Sequence, residues 1–199
     1  MPLSLDPGVT GGGGRHRTRH IRTDFSDAGY SGHSFNLGLL RFHDSETAPT
    51  YVEHVLTAFP ELQGKDADLL AFDWMGRQLV TTATVDGSES DLLIADLGVG
   101  EVSHFCTVAE FTGIIKLPES ATEAFNGALY EEWKRSVGGE GQGIAFSDCV
   151  EYQTPLYLGG DAGIGNLVLN DLDVAWTIGS QIRAQTRHLK PGESVTISL

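Results

Sequence analysis

Glycine crowds one stretch of the chain, PLYLGGDAGIGN at 155–166, where Gly159, Gly160, Gly163 and Gly165 follow an apolar run. Such a run could cradle a phosphate, because backbone N–H groups close on an anion most easily where no side chain intervenes. The dinucleotide fingerprint needs G-x-G-x-x-G between a strand and a helix. Here the order is Gly159-Gly160-Asp161-Ala162-Gly163-Ile164-Gly165, and the strand-like Asn166-Leu167-Val168-Leu169 follows. The stretch holds no lysine, and Asp161 would set negative charge against the anion. A turn that needs positive φ at glycine, Gly160 among them, is the better account.

Other residue types are tested the same way. Asp161, Asn166, Asn170, Asp171 and Asp173 are oxygen donors within a short span, but the EF-hand spacing is absent, and capping and turn bonding explain them. Of the seven histidines, only His16 and His20 have helical i, i+4 spacing, and they sit among glycine and arginine. Zinc ligation is therefore not expected. Cys106 and Cys149 lie in no nucleophile or metal motif and read as reduced core thiols. No G-x-S-x-G occurs. Asp73 beside Trp74 could be an acid in an aromatic setting, yet such a pair by a turn is ordinary core packing. The sequence thus offers no catalytic set, no cofactor site and no metal site, which favours a binding protein.

Charge points the same way. The 199 residues carry a formal −14. Residues 1–23 hold Arg15, Arg17, Arg19 and Arg22 against Asp6, a local +3, so the remainder carries −17. A body this acidic repels nucleic-acid phosphate and steers a cationic protein toward itself. Eight acids in expected loops are the candidate partner contacts: Glu61, Asp66, Asp68, Glu89, Asp91, Glu140, Asp161 and Asp171. No run approaches the roughly 20 apolar residues of a membrane span. The N-terminus lacks the pattern of a secretory signal, so a cytoplasmic protein is expected.

These residues need elements to position them. GGGGRHRTRHIR at 11–22 has too little apolar content to fold, so 1–23 reads as a flexible, disordered Gly/Arg-rich tail. TYVEHVLTAF at 50–59 reads as an amphipathic helix ended by Pro60. Strands are expected at 68–74, 77–85, 91–97 and 102–108, with Gly76, Asp86-Gly87 and Gly98-Val99-Gly100 in the turns. Residues 120–139 read as one helix. Ser120 and Glu123 fit a capping box, Phe125, Leu129 and Trp133 form its apolar face, and Gly138-Gly139 ends it. GGEGQG at 138–143 is the best internal boundary. Asp171 caps a helix over 172–189, with a stripe of Ala175, Ile178, Ile182 and Leu189, ended by Pro191-Gly192. SVTISL reads as a last strand. The expected class is α+β: an antiparallel sheet with segregated helices, in two small, closely packed subdomains.

Two blocks go beyond these rules. The segment at 35–80, FNLGLLRFHDSETAPTYVEHVLTAFPELQGKDADLLAFDWMGRQLV, with DLLIADLGVGEV after it, resembles the GAD-like domain. CVEYQTPLYLGGDAGIGNLVLNDLDVAWTIGSQIRAQTRHL at 149–189 resembles the C-terminal domain of the type VI secretion DNase-immunity proteins of the Tdi family. The marks are FDWMGRQ at 72–78, PLYLGGD at 155–161, NL at 166–167, NDLDVAW at 170–176 and GSQI at 179–182. They place a GAD-like domain at 24–115 and an immunity-type domain at 116–199. The Gly/Arg tail departs from the pattern. The resemblance implies a cytoplasmic immunity protein that binds a cognate toxin, a basic nuclease, and blocks it. It implies no enzyme activity, no membrane and no direct contact of the acidic body with nucleic acid. The alternatives are a generic interaction or regulatory module of the GAD-like family, touching RNA or a translation component, and a hydrolase with Asp73 or Asp161 as acid.

Overall fold

The seven strands of the main sheet pair in the order in which the chain makes them, all antiparallel. The structure, a computed structural model, describes residues 3–189. The strands are β1 Leu5–Thr10, β2 His33–Phe35, β3 Leu40–Phe42, β4 Asp68–Asp73, β5 Gln78–Thr81, β6 Leu92–Asp96 and β7 Glu101–Cys106. The tight turns at Gly76 (φ +72°) and Gly100 (φ +79°) join β4 to β5 and β6 to β7, whereas residues 11–32 and 43–67 are long connections. The fold is α+β with an antiparallel sheet, as the sequence implies.

Alternation along the strands gives the sheet two apolar faces. On one face Leu69, Phe72, Val80 and Ala95 meet helix α1 (Thr47–Ala58) and helix α5 (Leu172–Thr186). On the other, Leu40, Phe42, Leu79 and Leu92 meet α2 (Val108–Lys116), α3 (Pro118–Ala124) and α4 (Gly127–Ser136). Helices therefore cover both faces of the sheet. A separate antiparallel pair, β8 (Asp148–Tyr152) with β9 (Leu167–Asp171), joins them through the Val150 N–H, which donates to the Trp74 carbonyl at 2.8 Å. The boundary expected at 115/116 falls inside α2. Both cores combine residues from either side of it.

Within the expected tail at 1–23, the described residues 3–23 differ most from expectation. Residues 5–10 are an edge strand, and the glycines that follow thread past Asp44. Its carboxylate takes the Gly13 N–H at 2.9 Å, and a Cβ on Gly11 would sit 2.1 Å from it. Leu3 enters one core, Ile21 and Val9 pack against the two cores, and polar bonds to acids far along the chain hold the glycine- and arginine-rich run. Arg19 and the acids it meets are described below.

Helix boundaries also shift. The expected helix at 120–139 is two helices, because Asn126 turns the chain at φ +52°. Ser120 lies inside α3 and caps nothing; the capping box is Thr107 with Glu110, which opens α2. Asp171 does cap α5, accepting from the Asp173 and Val174 N–H groups. The buried stripe of α5 is Leu172, Ala175, Trp176 and Ser180, whereas Ile178 is 38% exposed. Lys190, Pro191-Gly192 and SVTISL lie outside the described residues. Among the described residues no helix is long and apolar enough to cross a membrane.

Candidate interaction surface and the glycine-rich loop

The 155–166 loop satisfies its polar groups within itself. Two single turns, Leu156–Leu158 and Ile164–Asn166, are joined through Gly159 at φ +90°. Asn166 takes the Thr154 N–H on its Oδ1 at 2.9 Å and returns Nδ2 to the Thr154 carbonyl at 2.8 Å. The same Nδ2 reaches the Asp161 carbonyl at 2.7 Å. A Cβ on Gly160 would lie 1.8 Å from the Thr154 oxygen. Gly160 is thus required by close approach. The positive φ expected there belongs to Gly159. The Asp161 carboxylate accepts the Gly163 N–H at 2.7 Å, an Asx-type turn. The loop seats on the β6–β7 turn, with the Leu156 N–H on the Gly98 carbonyl at 2.8 Å and Arg183 Nε on the Gly100 carbonyl at 2.9 Å.

The DWMGR turn between β4 and β5 is equally occupied. Asp73 Oδ1 accepts the N–H groups of Met75 and Arg77, at 2.9 and 3.1 Å, and its Oδ2 takes Arg77 Nε at 2.6 Å. Burial works against the Arg77 cation, but the adjoining Asp73 carboxylate leaves its pKa raised overall. Trp74 Nε1 donates to the Phe125 carbonyl at 2.7 Å, on the α3–α4 side. Arg41 is buried under the start of β8. Its guanidinium donates to the carbonyls of Ala145 at 2.9 Å and Asp73 at 2.8 Å, and to that of Asp148, and it lies over the Phe72 ring. Burial pushes its pKa down.

Three of the eight candidate acids are engaged by residues 1–23. Arg19 pairs with Asp66 and bonds Asp68, which also faces His16 at 3.3 Å. Asp68 is 6% exposed, so it is closed to a partner in this arrangement. Its pKa is lowered: burial opposes this, but the bonds from His16 and the Arg19 N–H prevail. Glu89 accepts the Arg22 N–H at 2.7 Å. Glu61, Glu140, Asp161 and Asp171 are exposed, and Asp91 is exposed beside His104 at 3.3 Å.

Two cavities bear on function. A small one of about 40 Å³ lies under the glycine-rich loop, lined by Asp96, Glu151, Cys149 and Trp176 among others. Burial raises the pKa of both acids, but the space suits one or two waters, not a substrate. An open cleft of about 460 Å³ lies between the end of α4 and β9, lined by Trp133, Lys134, Val137, Asp148, Val168 and Leu169 among others. Sequence reasoning passed over this cleft, although the alternation-free LVL at 167–169 was its visible sign. Both cysteines are free and buried; burial pushes the Cys106 thiol up to about 12 and that of Cys149 upward as well. Among the described residues no group of three His, Cys, Asp or Glu side chains is placed to hold a metal ion.

A scan against family models finds no match, and a search of curated proteins finds none. Solved structures do match. One is the crystal structure of Atu4351 from Agrobacterium tumefaciens, with a TM-score of 0.56 and 15% identity over 87% of this chain and 85% of that one. At that identity the likeness shows the fold alone.

Proposed function

We propose that this chain is an immunity-type protein: a non-enzymatic cytoplasmic binder that neutralises a cationic toxin of the nuclease class by direct contact. The observation that carries the reading is the internal use of its cations. Arg15 lies on Asp27, Arg17 on Asp24 and Arg19 on Asp66, while Arg41 and Lys134 are buried. The backbone of the arginine-rich segment is fixed against the acidic body, with Arg15, Arg17 and Arg22 at its surface. Glu61, Asp91, Glu140, Asp161 and Asp171 stay in solvent on a chain of formal charge −14. Such a surface is complementary to the basic groove with which a nuclease holds its substrate. The hydrolase reading needs a free acid at Asp73 or Asp161, and turns engage both.

The test is a binding and cleavage assay with the purified chain and the purified product of the adjacent gene. A stoichiometric complex that stops DNA cleavage is expected. Its association rate should fall as salt rises, because exposed charges are screened beyond about 10 Å at 0.1 M. A nuclease that keeps full activity under saturating chain would overturn the reading.

A further inference from the structure

We propose that the cleft between β9 and α4 is a docking groove for an extended protein segment that adds to β9 as a third strand. The inference deepens the binding reading above by naming the site and the shape of what enters it.

Backbone accounting leads to it first. In the β8–β9 pair every residue couple sums to one register, from Asp148 with Asp171 to Tyr152 with Leu167. The Gln153 N–H donates to the Asn166 carbonyl at 2.7 Å and the Leu172 N–H to the Ser147 carbonyl at 2.7 Å, whereas the Val150 N–H turns away from β9 to Trp74. Antiparallel bonding alternates. Val168 and Asn170 therefore bond β8, while Leu167, Leu169 and Asp171 point their backbone groups to the outer edge. The Leu167 N–H is taken by the Ile164 carbonyl, and the Asp171 N–H by Asn170 Oδ1 at 2.9 Å. That leaves the Leu167 carbonyl and both backbone groups of Leu169. Among the described residues no strand pairs with this edge.

The side chains beside it are apolar and unburied, with Val137 58% exposed, Val168 41% and Leu169 49%. All three line the cleft. An exposed apolar edge strand is a liability that proteins normally blunt with charge, proline or a cover. β9 carries none of these before Asp171. A second, independent sign comes from Trp133, which lines the same cleft. It is 4% exposed, and its Nε1–H has no hydrogen-bond acceptor. A buried indole donor normally finds one, and a carbonyl of an incoming strand would supply it.

Charge selects the occupant. Lys134 is the one cation lining the cleft, and the Glu131 carboxylate answers it at 2.7 Å. Asp148 also lines it, and Glu140 stands exposed on the 138–143 loop that forms part of its wall. The segment that fits is extended, alternates apolar with other residues, and carries lysine or arginine. Main-chain bonds would hold it and pockets along the groove would select it, the arrangement by which strand addition works.

The probe is a phage-displayed library of random linear 12-residue peptides, panned against the full chain. Two variants serve as controls. Leu169→Pro deletes an outward N–H that β8 does not use, and Val137→Asp places charge on the exposed α4 wall. The expected result is enrichment of apolar-basic peptides without proline at their centre. Binding should fall at least tenfold in each variant, and the Trp133 emission should shift on binding. Val137→Asp stands alone if Leu169→Pro does not fold. No enrichment on the wild-type chain, or enriched peptides that bind both variants equally, overturns the proposal. So does a concentration-dependent dimer that Leu169→Pro abolishes, since a second copy would then fill the groove. A toxin that is neutralised equally by wild type and Val137→Asp would remove the groove but leave the immunity reading standing.

Discussion

Trp176 Nε1 donates to the carbonyl of Gly76 at 2.8 Å, joining two residues 100 positions apart. The bond ties α5 to the β4–β5 turn, so FDWMGRQ and NDLDVAW, the marks that carry the family resemblance, meet in space. Both tryptophans of these marks bond a backbone carbonyl, and both close a core. Both stretches therefore serve the fold, whatever the surface binds.

Gly76 should tolerate no side chain. It holds φ +72°, and a Cβ would come within 3.1 Å of Leu172 and 3.2 Å of Cys149. Gly76→Ala is expected to cost more than about 1 kcal/mol, from strain and crowding together. Trp176→Phe, which leaves the Gly76 carbonyl only the 3.3 Å bond from Gln78 Nε2, should cost about 0.5–1.5 kcal/mol. Urea unfolding measures both; midpoints within error of wild type would remove the tie between α5 and the turn.

The glycine-rich loop supports an internal contrast. Gly160→Ala drives a Cβ into the Thr154 carbonyl, whereas nothing lies within 4 Å of a Cβ on Gly165. Gly160→Ala should lower stability by more than about 2 kcal/mol, in the range of other forced clashes. Gly165→Ala should stay within about 0.5 kcal/mol. Asn166→Ala should weaken the loop too, by removing its bonds to Thr154 and Asp161. Equal melting temperatures for the two glycine variants would contradict the close-approach account.

His43 sets a pH dependence. It is buried, with Nε2 against Gln78 Oε1 at 2.7 Å, and burial lowers its pKa to about 4 from 6.5. Because the folded state resists protonation, this contribution is fully present above pH 6.5 and is lost as pH falls from 6.5 toward 4. The shift corresponds to about 3 kcal/mol. Asp68, whose pKa is lowered, adds a second loss at pH values below its ordinary 3.8. His43→Gln should flatten the stability profile between pH 6.5 and 4 in denaturant titrations. An unchanged slope would mean that His43 is not the group responsible.

The N-terminal segment should behave as part of the fold. The Gly11 N–H donates to the Gly32 carbonyl at 2.9 Å, the Gly13 N–H to Asp44 at 2.9 Å, and the Arg19 N–H to Asp68 at 2.8 Å. Hydrogen exchange at these amides should be slow in the wild type. Exchange at Gly13 should accelerate in Asp44→Ala and at Arg19 in Asp68→Ala. Free exchange in the wild type would return the segment to a loose tail.

How much was legible follows from what each signal rests on. The strands at 68–73 and 92–96, α1 and the Asp171 cap were readable because alternation, helical spacing and capping are local. β1 was not: it is held by pairing with β2 and by the Asp6 carboxylate, which takes the Leu37 and Gly38 N–H groups, long-range partners that composition does not register. α2 has no counterpart among the expected elements: the strand expected at 102–108 overlaps it only at Val108, and the Thr107–Glu110 box that opens it lies at the end of that apolar run. The break at Asn126 depends on a left-handed residue other than glycine. Of the candidate acids, sequence position could not separate Asp68, buried under Arg19, from Glu61 in solvent.

The central claim is that this chain neutralises a cationic nuclease by binding it. The most direct measurement is survival and chromosomal integrity of cells that express the product of the adjacent gene, with and without this chain. The account predicts lethal DNA degradation from the nuclease alone, rescue by the wild-type chain, and weaker rescue when Glu61, Asp91 and Glu140 are reversed to lysine in a chain that still folds. A nuclease harmless on its own, or one that stays lethal with the folded wild-type chain present, would contradict it.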